Sequence, residues 1–383
     1  MREVYLDNAA TTPLSPAAYS AMQPYLTQKF GNADSRYASG REAALAVLSS
    51  RDKMRSLFGG TGGDVYFTSC GSEANSWALK GVCAANYGKN NRIILSAIEH
   101  PSLLRAARDM EVFGYEVVLV KPDSSGIVRP EFVADALKGG NVAFVGVMYV
   151  NNETGVMQPV KEIYDVCRAA GAFYFCDCVQ AAGTLVLSSP VADGMSISAH
   201  KFYGPKGVGA LWLKKGARIE RLVSGGQQEG GLRGGTTNVA GICGMEAAYE
   251  ETCAEMEANN TRLRALRDRF VNIILSSLSG TKLVGSSQSR VPSNANIAFA
   301  GCRGEQIMIN LDMLGVAVST GSACSSGASK PSPVLMAMGL SEEEAASCVR
   351  FTFGRYNTEE DVTIAAENVI KVVNSVRRSN GHF

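Results

Sequence analysis

The sequence predicts an α/β protein, with a large domain built on a mostly parallel sheet flanked by helices and a smaller α/β domain after it. Three observations point there. Short β-rich runs alternate with helical stretches through the first two-thirds of the 383 residues, the pattern of strands joined by crossover helices. From about Ile242 the alternation yields to a long helical stretch, and strands and helices then resume in a different rhythm. The length also exceeds the roughly 100–200 residues of a usual single domain.

In chain order, residues 65–68 (VYFT), 92–96 (RIILS), 116–120 (EVVLV), 142–149 (VAFVGVMY), 173–177 (FYFCD), 195–198 (MSIS) and 210–213 (ALWL) carry the β-branched and aromatic side chains that suit a pleated surface. Between them, 73–86, 101–113, 129–137 and 160–170 read as helices. The stretch 242–278 reads as helix with an interruption near Asn259 and Asn260, and the glycine clusters at 59–64 and 224–238 read as loops. In sheets of this kind ligands bind beyond the carboxyl ends of the strands, so the residues after each strand bear the closest reading.

Composition excludes several classes. Lys and Arg total 37 against 36 Asp and Glu, with no basic stripe to hold a phosphate backbone, so no nucleic-acid partner is expected. No apolar run approaches the roughly 18 residues of a membrane span. The N-terminus MREVYLDNAATTP lacks the pattern of a secretory signal. Ten cysteines are scattered without a CxxC pair and with almost no histidine nearby, against a zinc site or a disulfide framework. A cytoplasmic location is the expectation, with most thiols acting as small buried apolar groups.

The strand at 65–68 runs into SCGSEAN and a helix, so Gly71 and Ser72 stand where free backbone N–H groups and the helix dipole favour an anion; an ordinary capping serine is the alternative. Asp177 ends the strand at 173–177. Alternation turns Cys176 and Cys178 to one face and Asp177 to the other. Asp177 is then either a helix cap or the counter-charge of a protonated pyridine nitrogen, and a Cys-Asp-Cys metal site is a third option. After 195–198 comes AHKFYGPKG, in which Lys201 is either a surface lysine or one shielded enough to attack a carbonyl. His100, after the strand at 92–96, can stack on a ring.

Taken together, an anion seat, a carboxylate and a lysine at three strand ends form the set a pyridoxal phosphate site requires. Cys324, in VSTGSACSSGASKPS, is set among small polar residues and glycines and is either an exposed, reactive thiol or an incidental loop cysteine. In VRFTFGR, Arg350 or Arg355 can clamp a substrate carboxylate from a strand or form a surface ion pair.

These residues resemble the pyridoxal-phosphate-dependent cysteine desulfurases of the nitrogen-fixation and iron–sulfur-assembly type, of the aminotransferase class V family. The likeness rests on YLDNAATTP at the start, FGN at 30–32, TSCGSEAN, EH at 99–100, VNNETG at 150–155, DCVQ at 177–180, SAHK at 198–201, RGGT at 233–236, STGSACSSG at 319–327 and RFTFGR at 350–355. The pattern departs at Cys70, Ala33, Tyr37, Gln227 and Gly230.

The resemblance implies the type I fold of pyridoxal-phosphate-dependent transferases, with residues 15–258 as the large domain and 1–14 with 259–383 as the small one. It implies that Lys201 bonds the cofactor, Asp177 partners its pyridine nitrogen, Gln180 meets its phenolic oxygen and His100 stacks on the ring and shuttles protons. Gly71, Ser72, Ser198 and His200 would hold the phosphate, with Thr236 reaching it from the neighbouring subunit of a homodimer. Asn32, Asn152 and Arg350 would orient L-cysteine. Cys324 would take its sulfur as a persulfide and pass it to an acceptor protein such as an iron–sulfur scaffold. A selenocysteine or cystine lyase is one alternative, against which the loop around Cys324 counts; a non-catalytic scaffold or a thiol-rich metal-binding protein is the other, against which the joint presence of Lys201, Asp177, His100 and Cys324 counts.

Overall fold

The computed structural model describes residues 3–60, 62–187, 191–321 and 331–381. Its strands are β1 (Val4–Tyr5), β2 (Gly63–Thr68), β3 (Arg92–Ser96), β4 (Glu116–Val120), β5 (Val142–Gly146), β6 (Tyr174–Asp177), β7 (Gly194–Ser198), β8 (Gly209–Lys214), β9 (Thr281–Leu283), β10 (Asn294–Phe299), β11 (Val316–Ala317) and β12 (Cys348–Thr352). Seven of them form a sheet in the order β2-β8-β7-β6-β5-β3-β4. Only β8 runs against the others, pairing antiparallel with β2 and β7 while the remaining pairs are parallel. The carboxyl ends of β2, β3, β5, β6 and β7 therefore share one edge.

Every residue of β5, β6 and β7 is buried, as expected where helices cover both faces of a parallel sheet. One face packs Trp77, Ala78 and Val82 of the helix Gly71–Ala85 against Leu95, Phe144 and Phe175. The other carries Cys176, Cys178, Met195 and Ile197 into the core that holds Phe202 and Tyr249. A further core joins Val4 and Leu6 to Phe270, Phe299, Phe351 and Val369, around the antiparallel sheet β12-β10-β9 and the helices Met256–Ser277 and Glu359–Ser379. The N-terminal strand belongs to this second core because β1 pairs in parallel with β11.

The structure corrects the sequence reading at several points. The long helical stretch breaks at Glu255, between the helices Val239–Ala254 and Met256–Ser277, and not at Asn259 and Asn260. Both asparagines stay helical because their side chains find acceptors, Asn259 on Glu255 and Asn260 on the Thr184 carbonyl. Of the glycine cluster 59–64, Gly63 and Asp64 begin β2, paired with Lys214 and Leu213; Gly63 lies where a Cβ would fall 2.5 Å from the Trp212 ring. The strand expected over 142–149 stops at Gly146, although Val147 and Tyr149 still donate to the Phe175 and Asp177 carbonyls. Arg355 lies past the end of β12, where it pairs with Glu251 at 2.6 Å and stacks 4.1 Å from the Tyr203 ring centre, so it is not a strand-borne clamp.

Candidate active site

Four strand ends converge on the shared edge. After β2, the helix Gly71–Ala85 begins with Cys70 as its cap, without a side-chain cap bond, so Ser72 is an exposed first-turn residue and not the capping serine. A Cβ on Gly71 would come 2.7 Å from Val179 and 3.3 Å from the Ser198 Cβ. Glycine is thus what lets this helix N-terminus approach the end of β7. Ser198 Oγ is buried there with no hydrogen-bond partner. An unsatisfied hydroxyl beside free N–H groups is costly unless a ligand takes it, and an anion fits.

At the end of β6, Asp177 is 5% exposed. Its Oδ1 accepts from the Val179 N–H at 2.9 Å and its Oδ2 from Asn75 Nδ2 at 2.7 Å. Cys176 and Cys178 point into the core on the opposite face, where burial pushes the Cys178 thiol well above its usual range. Among the described residues no three His, Cys, Asp or Glu side chains gather as a metal site.

After β7, Lys201 ends a short helical turn over Ala199–Lys201 and its Nζ donates to the carbonyls of Ala9 and Ala10 at 2.6 and 2.8 Å. Gln180 Nε2 donates to the same Ala9 carbonyl at 2.9 Å. His200 lies 3.1 Å from Thr11 Oγ1 through Nδ1; burial, reinforced by Lys201 and Lys206, lowers it to about 4, so its imidazole is neutral.

His100, after β3, caps the helix Pro101–Glu111. Burial lowers its imidazole from the ordinary value; Asp177 opposes that shift, and Lys201 and Arg105 reinforce it. His100 thus lies within electrostatic reach of both Asp177 and Lys201. Asn75, 1% exposed, fixes the proton positions among them. Its Oδ1 accepts from Ser196 Oγ at 2.5 Å, and its Nδ2 donates to Asp177 and, at 2.9 Å, to Ser102 Oγ. Because Ser102 Oγ accepts that bond, its own hydrogen is free for His100 Nδ1, 2.8 Å away, which also accepts the Ser102 N–H at 3.2 Å. The neutral imidazole therefore carries its proton on Nε2.

Sequence reasoning passed over Asn75, Ser102 and Ser196. The signal for Asn75 was a lone amide among Ala74, Trp77, Ala78 and Leu79, all of which are buried on the same helix.

Glu99 is 2% exposed. Its Oε1 accepts from Ser96 and, at 2.7 Å, from the Met148 N–H, whereas its buried Oε2 has no partner. Burial, with the Asp177 charge adding to it, pushes this carboxyl up to about 8. An unfolded glutamate titrates near about 4.3, so between those values the folded chain holds a proton that the unfolded chain has lost, and stability falls as pH rises through the window. Glu99→Gln, which keeps the accepting oxygen, is expected to melt close to wild type at pH 4.5 and above it at pH 8. Thermal melts at both pH values check this; an unchanged gap would refute it.

Arg350 on β12 is 5% exposed; Nη2 donates to Asp7 at 2.6 Å and Nη1 to the Asn152 carbonyl at 2.9 Å, while Nε is buried without a partner. The Asn152 turn is itself tied down by Asn151 Oδ1, which accepts from the Glu153 and Thr154 N–H groups at 3.0 and 2.9 Å. Thr236 is exposed at the end of the glycine-rich segment, which is clipped to the helices Gly71–Ala85 and Ala38–Leu57 by Arg233–Glu73 at 2.8 Å and Arg51–Glu229 at 2.6 Å. Asn32 is exposed between the helices Pro16–Thr27 and Ala38–Leu57 and accepts from the Asp34 N–H; the structure does not bring it to Arg350 within this chain. Cys324 lies outside the described residues.

The fold and the site define a pyridoxal-phosphate-dependent enzyme of the α/β transferase type. The unsatisfied Ser198 hydroxyl beside the Gly71 helix fits the phosphate, Asp177 the ring nitrogen and Lys201 the aldehyde carbon. The aminotransferase class-V model matches residues 4–364, and the chain belongs to that family. It is 40% identical to the cysteine desulfurase IscS of Dictyoglomus turgidum, over 98% of this chain and 96% of that one. It is 38% identical to the cysteine desulfurase IscS of Clostridium botulinum strain Hall, over 98% and 96% of the two chains. Among solved structures, a NifS-like protein aligns with a TM-score of 0.91 at 30% identity, covering 98% of this chain and 100% of the other. No helix among the described residues is long and apolar enough to cross a membrane.

Proposed function

We propose that this protein is a cysteine desulfurase that converts L-cysteine to L-alanine, takes the sulfur onto Cys324 as a persulfide and hands it to an acceptor protein. The acceptor reading is an iron–sulfur scaffold or another thio-cofactor assembly partner, in the cytoplasm. The observation that carries the proposal is the meeting of Lys201, Asp177 and His100 at one sheet edge, with Arg350 held on the Asn152 turn, in a chain so similar to named cysteine desulfurases over nearly its whole length.

Bound at this edge, pyridoxal phosphate supplies an electron sink for the substrate α-carbon. The protein does the rest. Lys201 Nζ takes and returns the α-proton, Asp177 balances the charge at the ring nitrogen, and Asn75 holds that carboxylate in place. Gln180 meets the phenolic oxygen, and His100 keeps a proton on Nε2. The Gly71 N–H, Ser72, Ser198 and His200 bind the phosphate, Arg350 binds the substrate carboxylate, and Asn152 helps orient the substrate. The Cys324 thiolate attacks the substrate sulfur, an S–S bond forms, and the C–S bond breaks with its electron pair left on the carbon skeleton, which takes a proton and leaves as alanine.

Thr236 would reach the phosphate of a second copy in a homodimer. In support, Tyr19, Leu26, Phe30, Leu45 and Leu48 expose apolar side chains on and between the helices Pro16–Thr27 and Ala38–Leu57, a surface of the kind that seeks a partner.

The test is a visible spectrum of the purified protein, followed by alanine and sulfide measurement with L-cysteine and a thiol reductant, for wild type and Cys324→Ala. A yellow protein whose variant keeps its colour but makes no sulfide is expected. Wild-type sulfide output from the variant would remove Cys324 from the mechanism, and a colourless protein that cannot be reconstituted would remove the cofactor.

A further inference from the structure

Glu153 is a buried carboxyl, 5% exposed, that none of the chemistry above uses. Its turn is held rigidly from below. Asn151 Oδ1 caps it, Arg290 Nη1 donates to the Thr154 carbonyl at 2.6 Å, and Asn296 Nδ2 donates to the Glu153 carbonyl at 3.1 Å. Burial pushes the Glu153 carboxyl up to about 7, against the pull of the Ser332 hydrogen bond and the Arg350 charge.

Its side chain reaches two points that are distant in sequence. Ser332, 3% exposed, donates its hydroxyl to Glu153 Oε2 and with the same oxygen accepts from the Leu335 N–H to cap the helix Pro333–Ala337. Gly321 packs directly on that carboxyl oxygen, since a Cβ there would fall 2.1 Å from Oε2 and 2.6 Å from Cδ. Two residues before Gly321, Ser319 exchanges backbone hydrogen bonds with Arg350 at 2.7 and 3.2 Å. Gly321 and Ser332 flank the stretch of sequence that contains Cys324. One carboxylate oxygen thus touches both flanks of that stretch. It does so on the same turn whose Asn152 carbonyl is held by the Arg350 side chain.

We propose that Glu153 is a positioning residue for the sulfur-transfer step, fastening Gly321 and Ser332, the described flanks of the sequence that contains Cys324, to the Asn152 turn beside Arg350. The inference rests on Cys324 being the sulfur acceptor, and it adds a residue whose loss should slow that step without loosening cofactor or substrate. The alternative is a buried acid that only caps its neighbours, which would be felt as lost stability or lost cofactor.

The test uses the holoenzyme of wild type, Glu153→Gln, Glu153→Ala, Gly321→Ala and the double variant Glu153→Ala with Gly321→Ala. Cofactor absorbance, KM for L-cysteine, kcat and the persulfide formed on Cys324 in a single turnover are read for each. Glu153→Ala is expected to keep cofactor content and KM within twofold and to slow persulfide formation at least tenfold, with Glu153→Gln, which retains an acceptor oxygen for Ser332, within threefold of wild type. Gly321→Ala should be slow in the wild-type background, where its methyl meets the carboxyl, and should add nothing once that carboxyl is gone. Persulfide formation within twofold of wild type in Glu153→Ala, a loss explained by cofactor or KM, or effects of the two substitutions that multiply would each overturn the proposal. Full activity of Cys324→Ala would instead sink the desulfurase mechanism itself, so the two failures are separable.

Discussion

Lys201→Ala is expected to lower alanine formation from L-cysteine by about a thousandfold or more, the scale set by loss of a positioned proton-transfer group together with loss of the covalent anchor for the cofactor. Two consequences follow from where the lysine sits. Its Nζ donates to the Ala9 and Ala10 carbonyls, and Gln180 shares the Ala9 carbonyl, so the variant leaves one carbonyl short of a donor but keeps the other supplied. The fold should therefore survive, and a melt close to wild type is part of the prediction. The visible band of lysine-bound cofactor should vanish while the phosphate seat at Gly71 and Ser198 still takes the cofactor weakly, read by dialysis and absorbance. A variant that retained the band and a tenth of the activity would place the anchoring amine elsewhere.

Arg350→Lys is expected to raise KM for L-cysteine by about 10- to 100-fold, which corresponds to the roughly 1.5–3 kcal/mol of a hydrogen bond to a charged group. Arg350 already spends one Nη on Asp7 and the other on the Asn152 carbonyl, and its buried Nε has no partner. A guanidinium has five N–H groups in a fixed fork, so donors remain for a substrate carboxylate. A lysine retains charge beside Asp7 but cannot hold Asp7, the Asn152 carbonyl and a carboxylate in one plane. The change should fall on KM more than on kcat, and a KM within twofold of wild type would exclude Arg350 as the carboxylate clamp.

Much of the site was legible because its members are encoded locally. Gly71, Asp177 and Lys201 each follow a run of β-forming residues, and a chain of alternating strands and helices puts all such ends on one edge of a parallel sheet. The strands at 92–96 and 116–120 matched residue for residue; Asn90 and Asn91 precede the first, and Gly114 before and Pro122 after bracket the second. Where tertiary contacts set the limit, the reading slipped. β5 stops at Gly146 with the chain beyond it still bonded to β6, and the helix break falls at Glu255 because both asparagines had found acceptors in the folded chain.

By itself the sequence determined the kind of sheet, the strand ends and the chemical identity of the residues at them, since periodicity, turn residues and strand propensity act within windows of a few residues. Only the tertiary structure decided how those residues are held. Asn75 and Asp177 are 102 positions apart, Glu153 and Ser332 are 179 apart, and Arg350 and Asp7 are 343 apart. No local pattern encodes such partners. They meet because the helix of Asn75 packs on the large sheet, the helix after Ser332 packs into the core on that sheet's other face, and the N-terminal strand joins the second core, and buried polar groups brought together in that way must satisfy one another.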